Sequence, residues 1–426
     1  MLSSISGLTN TIIGAGMLAL PHAYAKMGWL QGSLLVVLCA VVTNFGLYLI
    51  KLCADRMDKR VNSFYDMTSQ VMPSAVWYFD ATIFVKCFGV GVSYLMISGN
   101  LIPQVILSLA RALGVGTKSV PSWLLSTPLW ILVCLTLMAP ACFYRKLDSL
   151  RIIGYLNMGA VAYLLLILFY YFVNSSAAHL PSHGEMDAVL VSTDVLRTFP
   201  IMVFAYTCAQ NILPVYNELQ HSTVERSTLV TVISVGASAL VYLVVALVGY
   251  ATFGSNVSDN IIAMYPDTNL FVCFGKLSVI ALTLTSYPMQ LYPCRASLLN
   301  MLEVNVDVLS ATEAEQSMLG ASSGEMDPVL HREIGERRWT VLTLALMSAG
   351  LFISMLVNDL SVVLGIVGSV GSTTISFILP ALLYRSIFRE DAKSPLYTAA
   401  TALGVWGAIV LVLALTVNIS KIFQGL

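Results

Sequence analysis

Charge is scarce in this chain. Asp, Glu, Lys and Arg together supply 11% of its 426 residues, where a water-soluble domain carries about a quarter. There is no excess of either sign: 22 Lys and Arg face 23 Asp and Glu, for a formal net charge of -1. A nucleic-acid binder, which needs a basic face, is thereby excluded. The eight Cys are scattered without a Cys-x-x-Cys pair, which argues against a zinc site or a disulfide scaffold. Histidine is also rare. Of His22, His179, His183, His221 and His331, only the first falls in an apolar run, and no His-Glu-x-x-His occurs. A membrane-embedded enzyme would lack its clustered ligands or nucleophile–base pair, so no enzymatic activity is expected. What the chain has in plenty is apolar side chains, at 57%. That content excludes disorder and leaves a polytopic membrane protein.

Eleven apolar runs are long enough to cross a hydrocarbon core of about 30 Å. They cover 5–27, 30–52, 77–110, 127–144, 149–173, 195–218, 226–253, 268–300, 338–357, 360–385 and 396–420. The runs are continuous rather than alternating, which predicts helices and not a membrane barrel. The first lacks a basic leader and contains Gly14, Gly16 and Pro21, so it reads as a crossing and not a cleaved signal. A cytosolic N-terminus puts 15 of the 22 basic residues in cytosolic loops and five on the far side, as the positive-inside rule requires. With eleven crossings the C-terminus is then non-cytosolic. The sequons at Asn174, Asn256 and Asn418 all fall on that far side. Residues 301–337 are rich in Glu, Asp, Ser and Gly, and read as a flexible cytosolic linker.

Two of the apolar runs are interrupted. The first reads Asn10-Thr-Ile-Ile-Gly-Ala-Gly-Met-Leu-Ala-Leu-Pro21, and the sixth reads Phe199-Pro-Ile-Met-Val-Phe-Ala-Tyr-Thr-Cys-Ala-Gln-Asn-Ile-Leu-Pro214. Each Gly weakens a helix by up to about 1 kcal/mol, and each Pro removes a backbone bond. Close packing alone accounts for many such residues in membrane helices. Here, however, both interruptions open a set of five helices, 1–175 and 195–385, followed by an eleventh at 396–420. Five crossings per set invert the second relative to the first. Paired breaks in inverted halves mark the binding site of many transporters. Unwound backbone offers N–H groups to a carboxylate and carbonyls to an ammonium group, the two poles of an amino acid.

These stretches, together with Lys86-Cys-Phe-Gly-Val-Gly-Val-Ser-Tyr94-Leu-Met-Ile, Pro214-Val-Tyr-Asn-Glu-Leu219 and Gly368-Ser-Val-Gly-Ser-Thr-Thr-Ile-Ser-Phe-Ile-Leu-Pro380, resemble the amino acid/auxin permease family. Within it the chain is most similar to fungal vacuolar amino acid transporters, with sodium-coupled neutral amino acid transporters as wider relatives. The resemblance implies an all-α fold of the LeuT type, a 5+5 inverted repeat with broken helices 1 and 6 plus one extra helix. It also implies secondary active transport of amino acids across a vacuolar or lysosome-like membrane, the plasma membrane being the other candidate address. Carried over by position, Gly14, Ala15, Gly16 and Met17 would hold the substrate carboxylate. Phe204, Ala205, Tyr206 and Thr207 would face the amino group, and Tyr94 would line the site. Asn10, Thr285 and Ser286 match the cation site of the sodium-coupled relatives, although interhelical hydrogen bonding is the competing role for such residues. No cofactor is implied beyond a coupling sodium ion or proton.

One position departs from the family. Where relatives carry Thr-Cys-His-Gln-Asn, this chain has Thr207-Cys208-Ala209-Gln210-Asn211, and Ala209 cannot titrate. His22 and Glu218 remain as titratable candidates, each with a packing or capping role as the alternative. Lys86 and Lys276 lie within apolar runs, where long stems reaching the headgroups would explain both. Gly365-x-x-Gly368-x-x-Gly371 lacks the Lys of a phosphate loop, and reads instead as a seam for close helix approach. The function expected is thus amino acid transport, the lack of an acidic residue near the site favouring neutral substrates. An amino acid sensor on the same fold is the alternative. It would have to signal through loop 301–337, since residues 1–4 alone precede the first helix.

Overall fold

A computed structural model describes residues 2–57, 64–116, 119–143, 151–174, 180–213, 223–317, 336–357 and 359–425. Every regular element among them is helical, as apolar surroundings demand of a backbone that must satisfy its own hydrogen bonds. In chain order the α-helices are α1 (Leu2–Ile12), α2 (Gly16–Met27), α3 (Trp29–Arg56), α4 (Phe64–Val71), α5 (Val76–Ala112), α6 (Thr127–Cys142) and α7 (Arg151–Val173). They continue with α8 (Asp194–Ala205), α9 (Val224–Phe253), α10 (Leu270–Ser317), α11 (Glu336–Leu356), α12 (Leu360–Ile366), α13 (Leu379–Ile387) and α14 (Pro395–Gly425). Between α12 and α13 the chain winds as two π-helical turns, Val367–Ser372 and Thr374–Ile378.

Eight of the described helical stretches are long and apolar enough to cross a membrane. They correspond to the second, third, fifth and seventh to eleventh apolar runs. Of the other three, the first is divided into α1 and α2. The fourth is α6, a 16-residue helix. The sixth begins with α8, a 12-residue helix, and its continuation past Leu213, with Pro214 and Glu218, lies outside the described residues. Helix α10 runs on to Ser317, so the first part of stretch 301–337 is helical; residues 318–335 are not described.

The core is organised around a few intimate pairs. Helix α5 lies along α10, and α2 packs on α9 and α8. The π-helical turn at Val367–Ser372 seats against α8 and α5. Small residues permit these approaches: a Cβ on Gly368 would fall 2.0 Å from the Pro200 carbonyl oxygen, and one on Gly371 would fall 2.4 Å from the Lys86 Cβ. The glycine-rich stretch therefore serves as the expected packing seam. Gly28 makes the corner between α2 and α3 at φ 87°, against the Ala188 carbonyl. The loop before α8 is tied to this corner by Trp29 N–H to Asp187 O (3.0 Å) and Leu190 N–H to Met27 O (3.0 Å). Asn418 of α14 is buried, its amide donating to the Ala414 carbonyl at 2.9 Å, so this sequon is not open to modification.

Candidate functional site

Helix α1 stops at Ile12 and α2 starts at Gly16. Between them, the N–H groups of Gly14 and Ala15 have no backbone acceptor among the described residues, while Met17 and Leu18 turn back onto the carbonyls of Gly14 (3.2 Å) and Ala15 (3.1 Å). Helix α8 likewise stops at Ala205, and Thr207 turns back onto Phe204 O at 2.9 Å before a short 3-10 turn over Ala209–Asn211. The two interruptions meet. A Cβ on Gly16 would lie 3.0 Å from Ala205 Cα and 3.3 Å from the Phe204 ring. Two half-helices thus end, and one begins, within a few ångströms of each other. Their aligned peptides point partial charges of both signs into one volume.

Tyr242 of α9 joins these ends. Its hydroxyl lies 2.5 Å from Ile12 O and 2.7 Å from Ala205 O, the last carbonyls of α1 and α8. A single O–H donates to one at a time, so it holds the carbonyl ends together without satisfying both. Sequence reasoning missed Tyr242, which sits in an unbroken apolar helix and contacts residues remote in the chain.

A pocket opens at this junction. Its wall includes Thr11, Gly14, Ala15 and Gly16 from the first break, and Phe204, Ala205 and Thr207 from the second; α5 contributes Lys86 and Tyr94. Of the anticipated contacts, Met17 and Tyr206 stand apart from the wall. Met17 is buried in the core, and the Tyr206 ring packs edge-on against Tyr242 with centroids 5.1 Å apart. The Tyr94 hydroxyl is 3.9 Å from where a Gly14 Cβ would be. A second hollow, lined by Trp29, Phe172, Met186, Leu247, Val248 and Ala251, is apolar and away from the breaks.

The anticipated cation residues come together in part. Asn157 of α7 stands beside Thr285 and Ser286: the Thr285 hydroxyl is 3.4 Å from its Oδ1, and its Nδ2 is 3.5 Å from Ser286 Oγ. Asn10 reaches α7 one turn earlier, its Nδ2 lying 3.2 Å from where a Gly154 Cβ would be. Asn10 Oδ1 is buried without a hydrogen-bond partner among the described residues. Amide and hydroxyl oxygens with one acceptor left unpaired suit a hard monovalent cation. Asn157 was not anticipated, since an Asn in an apolar run commonly serves as an interhelical hydrogen bond.

The two intramembrane lysines behave differently from the expectation. Both side chains are buried within the protein. Lys276 is fully buried, donating to Tyr265 O at 3.0 Å and pairing with Asp267 in the loop before α10. Lys86 is 3% exposed and turns into the pocket, donating to Gln210 Oε1 at 2.8 Å and Gln290 Oε1 at 3.4 Å. Acceptors at hand decide both cases, and spacing along a helix does not reveal them.

Midway along α2, His22 Nδ1 lies 3.1 Å from Val257 O, in the loop that follows α9. Two residues on, Asp259 accepts the Leu360 N–H of α12 at 2.8 Å. Arg197 of α8 pairs with Asp359 at 2.9 Å, and Asp359 also caps α12 through Ser361 N–H at 2.8 Å. Burial, and next the neighbouring Asp359 carboxylate, hold the Asp259 carboxyl above its ordinary range, against the Leu360 and Ser361 amides and His22. Burial would raise Asp359 as well, but the Ser361 hydroxyl and the Arg197 guanidinium hold it below its ordinary value.

The family described as "Transmembrane amino acid transporter protein" matches residues 1–424. Vacuolar amino acid transporter 5 of Schizosaccharomyces pombe is 36% identical, over 99% of this chain and 94% of its own length. Vacuolar amino acid transporter 6 of Saccharomyces cerevisiae is 31% identical, over 97% of each chain. A Danio rerio protein named for sodium-coupled neutral amino acid transport is 24% identical, over 95% of this chain and 83% of its own.

Proposed function

The chain belongs to the transmembrane amino acid transporter family, and from that premise we propose that it is a secondary active transporter of neutral amino acids working by alternating access. The observation that carries the reading is the meeting of two interrupted helices, with Gly16 against Ala205 and the Tyr242 hydroxyl spanning the carbonyls of Ile12 and Ala205. On this reading the chain crosses the membrane eleven times as a LeuT-type inverted repeat, with its N-terminus cytosolic. The names of the fungal relatives favour a vacuolar membrane.

The substrate carboxylate is taken by the free amides of Gly14 and Ala15 ahead of α2, where the helix dipole is positive. The ammonium group goes to the carbonyl ends of α1 and α8, displacing or sharing Tyr242. Backbone groups supply both poles, so no formal protein charge is spent on the amino acid's common part. Phe204 and Tyr94 then bound the side chain. Rocking of α1, α2 and α8 against α5 and α10 exposes the pocket to one side at a time. Free energy comes from a proton or sodium gradient. A sodium ion would take the oxygens of Asn10, Asn157, Thr285 and Ser286.

Counterflow tests this directly. Purified full-length protein in liposomes loaded with unlabelled amino acids should exchange labelled neutral amino acids and discriminate among a competition panel. Failure to exchange any amino acid would overturn the reading. A strict need for sodium would favour the Asn10 site, and exchange indifferent to sodium would assign those residues to helix packing.

A further inference from the structure

Among the described residues Lys86 is the one cationic side chain in the pocket wall, and the transport reading so far gives it no task. The ion pairs among the described residues are Arg197–Asp359 and Lys276–Asp267; Lys86 is in neither. Its hydrogen-bond acceptors are two side-chain amides, Gln210 at 2.8 Å and Gln290 at 3.4 Å. From behind, the stem is held by the π-helical turn, where any side chain at Gly371 would strike it. Among the described residues the other titratable groups around it are the thiols of Cys87 on its own helix and Cys208 after the second break, together with Tyr94, also of α5, in the pocket wall. The first break and the π turn present only neutral groups, Thr11, Ile12, Gly14 and Gly371.

This partner set is unusual for a structural cation. A carboxylate would lock the lysine in its charged form. A glutamine amide offers an oxygen to an ammonium and, turned over, an N–H to an amine, so two of them can serve either protonation state without repacking. The partners also belong to different bodies. Gln210 follows the second break, and Gln290 is on α10. Motion of α8 and its continuation against α5 and α10 therefore changes the surroundings of Lys86, and with them its hold on a proton. An ionisable side chain buried in a membrane protein and facing its central cavity is placed as a proton relay requires.

Resting on the transport reading above, we propose that Lys86 is the proton-carrying group that couples transport to a proton gradient. The amine binds a proton when the pocket faces the acidic compartment and releases it to water when the pocket faces the other. The proton moves on and off one nitrogen, and no other bond changes. Lys86 stands beside the backbone groups that take the substrate and is not one of them.

The test uses the full-length protein in liposomes with the membrane potential clamped. Counterflow at equal pH is compared with accumulation under an imposed pH gradient, and with proton entry reported by a trapped pH dye. At one proton per substrate, about one pH unit supports about tenfold accumulation of a neutral amino acid. Wild type should accumulate without sodium and admit protons when substrate is added. In whatever counterflow Lys86→Gln and Lys86→Arg keep, the second preserving the charge in case the first misfolds, accumulation should fall to equilibrium and substrate-evoked proton entry should disappear. Variants that still accumulate under the gradient would overturn the assignment. So would a wild type that exchanges but concentrates substrate only with sodium, or folded variants whose counterflow is lost together with accumulation. A wild type with no exchange at all would instead overturn the transport reading.

Discussion

At Tyr242 one hydroxyl faces the carbonyls of Ile12 and Ala205, which a helix continuing through either break would have satisfied. Replacing it by Phe removes the one donor that these two buried carbonyls share, at a cost of roughly 1–3 kcal/mol. Tyr242→Phe should therefore melt at a lower temperature. It should also bind substrate differently, because the two carbonyls are no longer drawn together; an unchanged melting temperature and unchanged apparent affinity would remove Tyr242 from the site. Residues such as Tyr242 and Asn157 escape a reading of the sequence because their importance lies in partners far along the chain. Gly14 and Gly16 do not escape it, since low helix propensity in an apolar run is a local property. Lys86 falls between these cases. Its depth in the helix was evident, but a four-carbon stem reaches either the headgroups or the protein interior, and only the positions of Gln210 and Gln290 decide which.

Among the elements, the loop after α9 and the start of α12 form a closure that links them to α2 and α8. His22, Asp259, Arg197 and Asp359 tie it together. The two carboxyls respond to pH in opposite senses. The raised Asp259 favours this arrangement in its protonated form, so its contribution grows as pH falls from neutral into the carboxylate range. The lowered Asp359 supports the arrangement above its ordinary value and withdraws that support only as pH falls below it. Mild acid should therefore tighten the closure. Wild-type thermal stability should rise on mild acidification, and Asp259→Asn should lose part of that rise; an identical pH profile would show that Asp259 does not report on the closure. The apolar runs for these elements were legible because each carries a continuous hydrophobic signal. The π-helical turns were not, because their winding depends on Gly368 and Gly371 meeting Pro200 and Lys86 across the core.

For the molecule as a whole, scarcity of charge and scarcity of carboxylates near the pocket have one explanation. On the transport reading helix ends supply the poles for a zwitterion, and buried cations such as Lys51, Lys86, Lys276 and Arg295 are each held by specific acceptors. The inverted halves were inferred from the placement of the breaks and from a family resemblance; hydropathy by itself recorded only apolar length. Gly16 concentrates the account, because a side chain there would press on Ala205 and the Phe204 ring where the two breaks meet. The decisive measurement is counterflow of a labelled neutral amino acid by purified Gly16→Leu in liposomes, beside wild type and with melting curves of both. The account predicts that Gly16→Leu folds and inserts yet exchanges nothing. Exchange at the wild-type rate would contradict it.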